Sequence, residues 1–270
     1  MKLINNVLAF TALVFLFAQC SNNKKPEQNA EEKKQELEAF VEKTFEYPIP
    51  TSFEVSKMLE EANAEFQPDI VNPAENATNY IAEWKKAINL GIYGADLSYS
   101  STFNQSEQTM QYLKVSKQLV EDLNITTAFN MNLVNRIESN IENKDSLIMI
   151  VTESFYDTYN YLNRNGDEKT SVLVVAGSVI EGLYITTKLI EKSENKADLM
   201  SVLANQKEQV QKLTVLLENH ATDVNVAKVL PNLRYINLFY EQLGNSSEIT
   251  EGQFADVSSS ISQIRWDLVD

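Results

Sequence analysis

INLGIYGADLSYSST, residues 88–102, returns in altered form as LVVAGSVIEGLYITT, residues 173–187. At a constant offset of 85, Gly91 meets Ala176, Asp96 meets Glu181, Tyr99 meets Tyr184, Ser101 meets Thr186 and Thr102 meets Thr187. Amphipathic helices match one another at apolar positions through periodicity alone, but periodicity does not place an acid and a tyrosine three apart in both copies. The helices that follow echo at an offset of 90, with Leu113 matching Leu203, Lys117 Lys207, Val120 Val210 and Leu123 Leu213. One longer loop absorbs the slip. The fold class read from this echo is all-α, with two tandem, pseudo-repeated four-helix units at 79–166 and 167–270 packed into one helical body.

Working outward, apolar residues at helical spacing predict helices over about 79–103, 107–124, 127–142, 145–164, 168–192, 196–219, 222–243 and 250–269. Pro231 is expected to kink or split the seventh. Gly166 reads as the stop between the halves, with Asp167 as the next N-cap. Residues 35–78 form an N-terminal region of helices and proline-rich connections. Gln35 to Glu46 reads as a short helix halted by Tyr47-Pro48-Ile49-Pro50, because proline lacks a donor and disfavours α conformation before it. Thr51-Ser52-Phe53-Glu54 has the form of a capping box. The helix it opens carries Val55, Met58, Leu59, Ala62 and Phe66 on one face.

Composition narrows the function classes. Of 270 residues 43% are hydrophobic, enough for a real core, and 38 acids against 23 bases give a formal net charge of −15. A nucleic-acid backbone repels such a surface, so no nucleic-acid partner is expected. One histidine and one cysteine are too few for histidine-rich metal sites, zinc ribbons or disulfide frameworks. The sequence implies no cofactor. Seven glycines and six prolines also argue against turn-dense all-β folds.

The N-terminus carries an address. Lys2 precedes the apolar run Val7 to Ala18, which has signal-peptide length and is short for a membrane span. Leu16-Phe17-Ala18-Gln19-Cys20 resembles the lipobox of bacterial lipoproteins, with Phe17 and Gln19 where that motif usually carries Leu and Gly or Ala. The resemblance makes residues 1–19 a signal peptide and Cys20 the lipidation site. The chain would then be held on the membrane by an N-terminal diacylglyceryl cysteine. Residues 20–34 complete the anchor, since Ser21 to Lys34 has no large apolar side chain and serves as a flexible tether reaching roughly 20 Å. Ser21 after the cysteine resembles an outer-membrane sorting signal.

Candidate chemistry collects on the echoed helices. Gly91, Gly94, Ala95, Ser98 and Thr102 give one face almost no side-chain bulk, and close approach of another helix is expected at both glycines. Helical glycine costs roughly 1 kcal/mol relative to alanine, so packing has to justify it. Elsewhere on the same helix Ile92, Asp96, Tyr99 and Phe103 align, and in the second copy Gly177, Glu181, Tyr184 and Lys188 align. Asp96, Tyr99, Glu181 and Tyr184 are therefore the candidate ligand-binding residues, forming a polar centre between the halves if both acids point inward. No residue is assigned as catalytic or as a metal ligand. His220 reads as a helix-end cap. Ser193-Glu194-Asn195-Lys196 fits Ser-x-x-Lys but sits in a charged loop without the apolar walls that lower a lysine pKa. Phe155, Tyr156, Tyr159 and Tyr161 read as packing at helical spacing.

Cys20, the Tyr47-Pro48-Ile49-Pro50 entry and the run Leu90-Gly91-Ile92-Tyr93-Gly94-Ala95-Asp96-Leu97-Ser98-Tyr99 together resemble an uncharacterised family of all-helical lipoproteins from Bacteroidetes. The resemblance covers most of the chain after the signal peptide. It implies a cell-envelope location and a helical fold but carries no activity and no site residue. Asp145-Ser146-Leu147 is similar to the short O-glycosylation motif of that phylum's exported proteins, which would place a glycan on Ser146. The function expected is a lipid-anchored, non-enzymatic binding or scaffolding protein of the envelope, at the outer membrane, with an envelope protein as partner. The alternatives are a small-ligand or metal carrier, or an enzyme using the carboxylate and tyrosine centre.

Overall fold

A computed structural model describes residues 52–125, 131–244, 246 and 248–270. Cys20, the expected tether, the helix expected over Gln35 to Glu46 and Thr51 of the expected capping box lie outside these residues. Ten α-helices and one 3₁₀ turn make up the described chain, which contains no strand. They are α1 (Ser52–Glu61), the 3₁₀ turn Ala74–Asn79, α2 (Glu83–Thr102), α3 (Ser106–Asp122), α4 (Met131–Ser139), α5 (Lys144–Arg164), α6 (Glu168–Lys192), α7 (Lys196–Asn205), α8 (Lys207–Glu218), α9 (Val226–Leu243) and α10 (Glu251–Val269).

The punctuation explains how a glycine-poor chain turns so often. Asn63, Asn104 and Asn124 take φ of 58°, 56° and 57°, so asparagine supplies the left-handed residue after α1, α2 and α3. Gly166, with φ of 76°, does the same after α5. Asp167 then caps α6 by accepting from the Thr170 amide at 3.3 Å, and Asn143 caps α5 through the Ser146 amide at 3.1 Å. Thr250 and Gln253 form a reciprocal capping box at the start of α10.

α2 and α6 are the centre of the body. Ile88 lies against Gly177 and, further along both helices, Asp96 lies beside Glu181, so the two run side by side in the same direction. α10 runs opposite to them, since its early Ser258 meets Glu191 and its late Arg265 meets Glu181. α6 has the length and hydropathy of a membrane span, yet 89% of its most apolar window is buried inside the body. A single hydrophobic core connects residues of α1 to α10, with Ile88, Ile92, Ile180 and Leu183 wholly buried at its middle.

Several expectations are corrected. The two halves do not separate into clean four-helix units, because α2 of the first and α6 of the second share the central interface. The counterpart of α3 in the second half is interrupted at Gln206 into α7 and α8. Gln206 is buried there, its amide bonded to Thr186 Oγ1 at 3.0 Å. Pro231 does not split α9, which continues through it. The first helical span starts at Glu83 rather than at 79, and α1 stops at Glu61 before Phe66.

The two glycines of α2 behave differently. A Cβ on Gly91 would sit 1.9 Å from the Val174 carbonyl oxygen, and one on Gly177 would sit 1.8 Å from the Ile88 carbonyl oxygen. The contact is reciprocal: Ile88 and Gly91 relate to Val174 and Gly177 by an offset of 86, one residue from the sequence echo. Gly94 is not part of it. Nothing lies within 4 Å of a Cβ placed there, because Gly94 faces a crevice bounded by α3 and α5.

Candidate functional site: the Asp96, Glu181 and Arg265 centre

Close approach at Gly91 and Gly177 brings the next turns of α2 and α6 together, and those turns carry the two acids. Asp96 and Glu181 are both fully buried. Water cannot solvate them there, so each needs a protein partner. Glu181 receives a bidentate ion pair from Arg265 of α10, with Nε to Oε2 at 3.0 Å and Nη2 to Oε1 at 3.2 Å. This fork matches the planar guanidinium to the carboxylate geometry. The Arg265 guanidinium also lies over the Tyr184 ring, 4.7 Å from its centroid.

Asp96 is less well served. Its Oδ2 accepts from the Asn72 backbone amide at 3.2 Å, while Oδ1 has no partner. Burial, and next the negative Glu181 carboxylate beside it, raise the Asp96 pKa well above the usual carboxylate value, with Arg265 and the Asn72 amide only partly opposing. The raised value favours the protonated form of Asp96, which relieves its repulsion with Glu181 and leaves the Arg265 guanidinium to pair with Glu181. Burial works against the Arg265 charge, but the Glu181 charge and hydrogen bond, with help from Asp96, outweigh it and leave the guanidinium held more firmly protonated than usual.

The surrounding bonds fasten chain segments to α2. Asn72 is fully buried and donates through Nδ2 to the Tyr80 hydroxyl at 3.0 Å, which donates to the Val269 carbonyl at 3.3 Å. Tyr93 donates to the Pro73 carbonyl at 2.8 Å. At the end of α10, Asn89 Nδ2 donates to the Leu268 carbonyl at 2.9 Å, and Lys85 Nζ donates to the Asp267 carbonyl at 2.8 Å. Together these tie residues 72–80 and the C-terminal helix to one face of α2.

Of the four residues read from the sequence, the structure unites three and diverts one. Asp96 and Glu181 are neighbours, and Tyr184 joins them through Arg265. Tyr99 points elsewhere: its hydroxyl accepts from the Gln67 amide at 2.8 Å and its ring stacks on Phe66 at 4.9 Å. Burial raises the pKa of Tyr99, so the phenol stays neutral as a structural group. Cys20 lies outside the described residues. Ser146 is half-buried and its amide serves the α5 cap. The His220 ring lies in the turn after α8, with Nε2 4.0 Å from Glu168.

Arg265 and Asn72 were missed by the sequence reading. Arg265 left a signal, because it shares a helical face with Ile261 and Leu268, both buried, and a cation on an apolar face asks for a buried anion. Asn72 left none, since its role depends on a loop path. Chemically, the centre is a Glu181–Arg265 ion pair with a second acid, Asp96, beside it on the Asn72 amide, and both acids have 0% exposure. Among the described residues no group of three or more His, Cys, Asp or Glu side chains is placed to hold a metal ion. No family model matches the chain, and neither a curated protein nor a solved structure matches it.

Proposed function

We propose that the chain is a lipid-anchored, non-enzymatic binding protein of the bacterial cell envelope, fastened through Cys20 and presenting its helical body to a partner. The observation that supports this reading is the contrast between a filled centre and an open face. Of the acids that would serve catalysis or ligand capture, Glu181 is consumed in holding α10 through Arg265 and Asp96 is buried against the Asn72 amide. Where α10 lies along α6, an open groove of about 670 Å³ is bordered by Lys188, Glu191, Ser258, Ser262, Gln263 and Trp266. Trp266 is 59% exposed. A large aromatic beside hydroxyl, amide and charged side chains has the composition of a recognition surface. The lipobox-like segment and a tether without large apolar side chains support the anchor, and the net charge of −15 leaves an anionic membrane little attraction for the body itself.

The test pairs location with binding. Cys20→Ala should abolish labelling by an alkyne fatty acid and release the body from membranes, and an unlabelled, fully processed mutant that stays membrane-bound refutes the anchor. Crosslinked pull-down from envelopes with the lipidated protein should recover a defined partner that Trp266→Ala loses by tenfold or more. Retention of every partner by that variant removes the groove from the reading. An acid-centred enzyme would instead leave the fold unchanged on Glu181→Gln and lose only turnover.

A further inference from the structure

The crevice that opens at Gly94 lies on the opposite side of α2 from the acid centre and is a different kind of space. It is a slot of about 550 Å³ counting its open mouth, and only about 50 Å³ when measured as a cavity. Leu97 of α2, Val120 of α3 and Val151 of α5 are among its walls, and none of the residues that line it is charged. Gly94 widens it by withholding a side chain where a Cβ would meet nothing within 4 Å. Ser116 and Thr152, 3% and 7% exposed, line the slot with hydroxyl oxygens that have no hydrogen-bond partner. The other wall hydroxyls are satisfied: Ser98 donates to the Gly94 carbonyl, Ser52 to Ser98 and Ser154 to the Val151 carbonyl. A buried hydroxyl left unpaired costs free energy, and it gains a bond when an occupant supplies one.

We infer that this slot is a binding site for the end of a single unbranched aliphatic chain carrying an uncharged oxygen function, an alcohol or an ester carbonyl, that pairs with Ser116 or Thr152. The cavity volume of about 50 Å³ excludes rings, since a benzene-sized cavity is about 150 Å³. The lack of a charged wall residue excludes a carboxylate or ammonium at the buried end, which would be desolvated without a counter-charge. Helices α2, α3 and α5 supply rigid apolar walls, and the two hydroxyls fix how deep the oxygen sits. The site is separate from the Trp266 groove and stands whether or not the chain carries a lipid.

The experiment uses the full chain with 1-decanol as probe and sodium decanoate as the charged comparison, read by thermal midpoint and calorimetry. Decanol should raise the midpoint saturably, and decanoate should bind at least tenfold more weakly. Gly94→Leu, which fills the slot, should abolish the decanol shift. Because that side chain could also disturb the fold, Ser116→Ala with Thr152→Val provides the second arm, keeping volume nearly constant and weakening decanol binding about fivefold or more. No saturable shift up to the solubility limit overturns the inference, as does binding that persists in Gly94→Leu. Crystals soaked in decanol that show only ordered water at Ser116 and Thr152 overturn it too.

Discussion

Gly91→Ala and Gly94→Ala should have opposite signs although they lie one helical turn apart on the same helix. At Gly91 the new methyl carbon would stand 1.9 Å from the Val174 carbonyl oxygen and 2.8 Å from the Ser178 amide nitrogen. Both are backbone atoms of α6, so relief requires the helices to part by about 1.5 Å rather than a side chain to swing away. Overpacking of a rigid core costs about 1–3 kcal/mol or more, and alanine returns roughly 1 kcal/mol of helix propensity. Backbone against backbone belongs at the top of the overpacking range, so about 3 kcal/mol less the roughly 1 kcal/mol of propensity leaves an expected net loss of about 2 kcal/mol or more. At Gly94 only the propensity operates, so Gly94→Ala should stabilise by about 0.5–1 kcal/mol. Gly177→Ala meets the Ile88 carbonyl at 1.8 Å and should match Gly91→Ala in size. The double variant Gly91→Ala with Gly177→Ala should cost less than the sum, since helices already parted by one methyl admit the second. Urea denaturation followed by far-ultraviolet circular dichroism measures all four. The reasoning is refuted by a Gly91→Ala protein as stable as wild type, or by a Gly94→Ala protein less stable than Gly91→Ala.

The acid centre gives three further tests. Glu181→Gln leaves the buried Arg265 without its anion and should destabilise by about 3–5 kcal/mol in chemical denaturation, while adding Arg265→Leu should recover much of that loss; a double variant no better than the single would show that the pair is not the source. Asp96 has a folded pKa raised above its unfolded value near 3.8, so its contribution is fully present below that pH and is lost as pH rises through the folded value. Asp96→Asn, which keeps the acceptor for Asn72, should therefore gain on wild type as pH is taken from 4 to 8, and a difference independent of pH would mean that Asp96 is ionised throughout. Asn72→Ala removes the Tyr80 bond but keeps the backbone amide, and should cost about 1–3 kcal/mol in thermal or urea unfolding because the buried Tyr80 hydroxyl loses a donor; a neutral effect would place residues 72–80 outside the cooperative fold.

Much of the architecture is written in local pattern. The span of α6, the stop at Gly166 and the cap at Asp167 follow from periodicity and turn chemistry, which are properties of a few consecutive residues. So does the echo that marked α2 and α6 as equivalent. The sequence also singled out Asp96 and Glu181, because an acid inside an apolar helical stripe is conspicuous wherever it faces. It could not say which small residue was a contact and which an opening: Gly91 and Gly94 look alike along one helix, and only the position of a second backbone separates them. It could not place Tyr99 away from the acids or Arg265 upon them, since residues 181 and 265 meet only when α10 folds back along α6. Nor could it find the unpaired hydroxyls of Ser116 and Thr152, because hydrogen-bond satisfaction is a property of what surrounds an atom in space. Sequence determined most of the helices and the two central acids; tertiary structure decided the break at Gln206 and every partner, because burial and contact between distant segments exist only once the helices are packed.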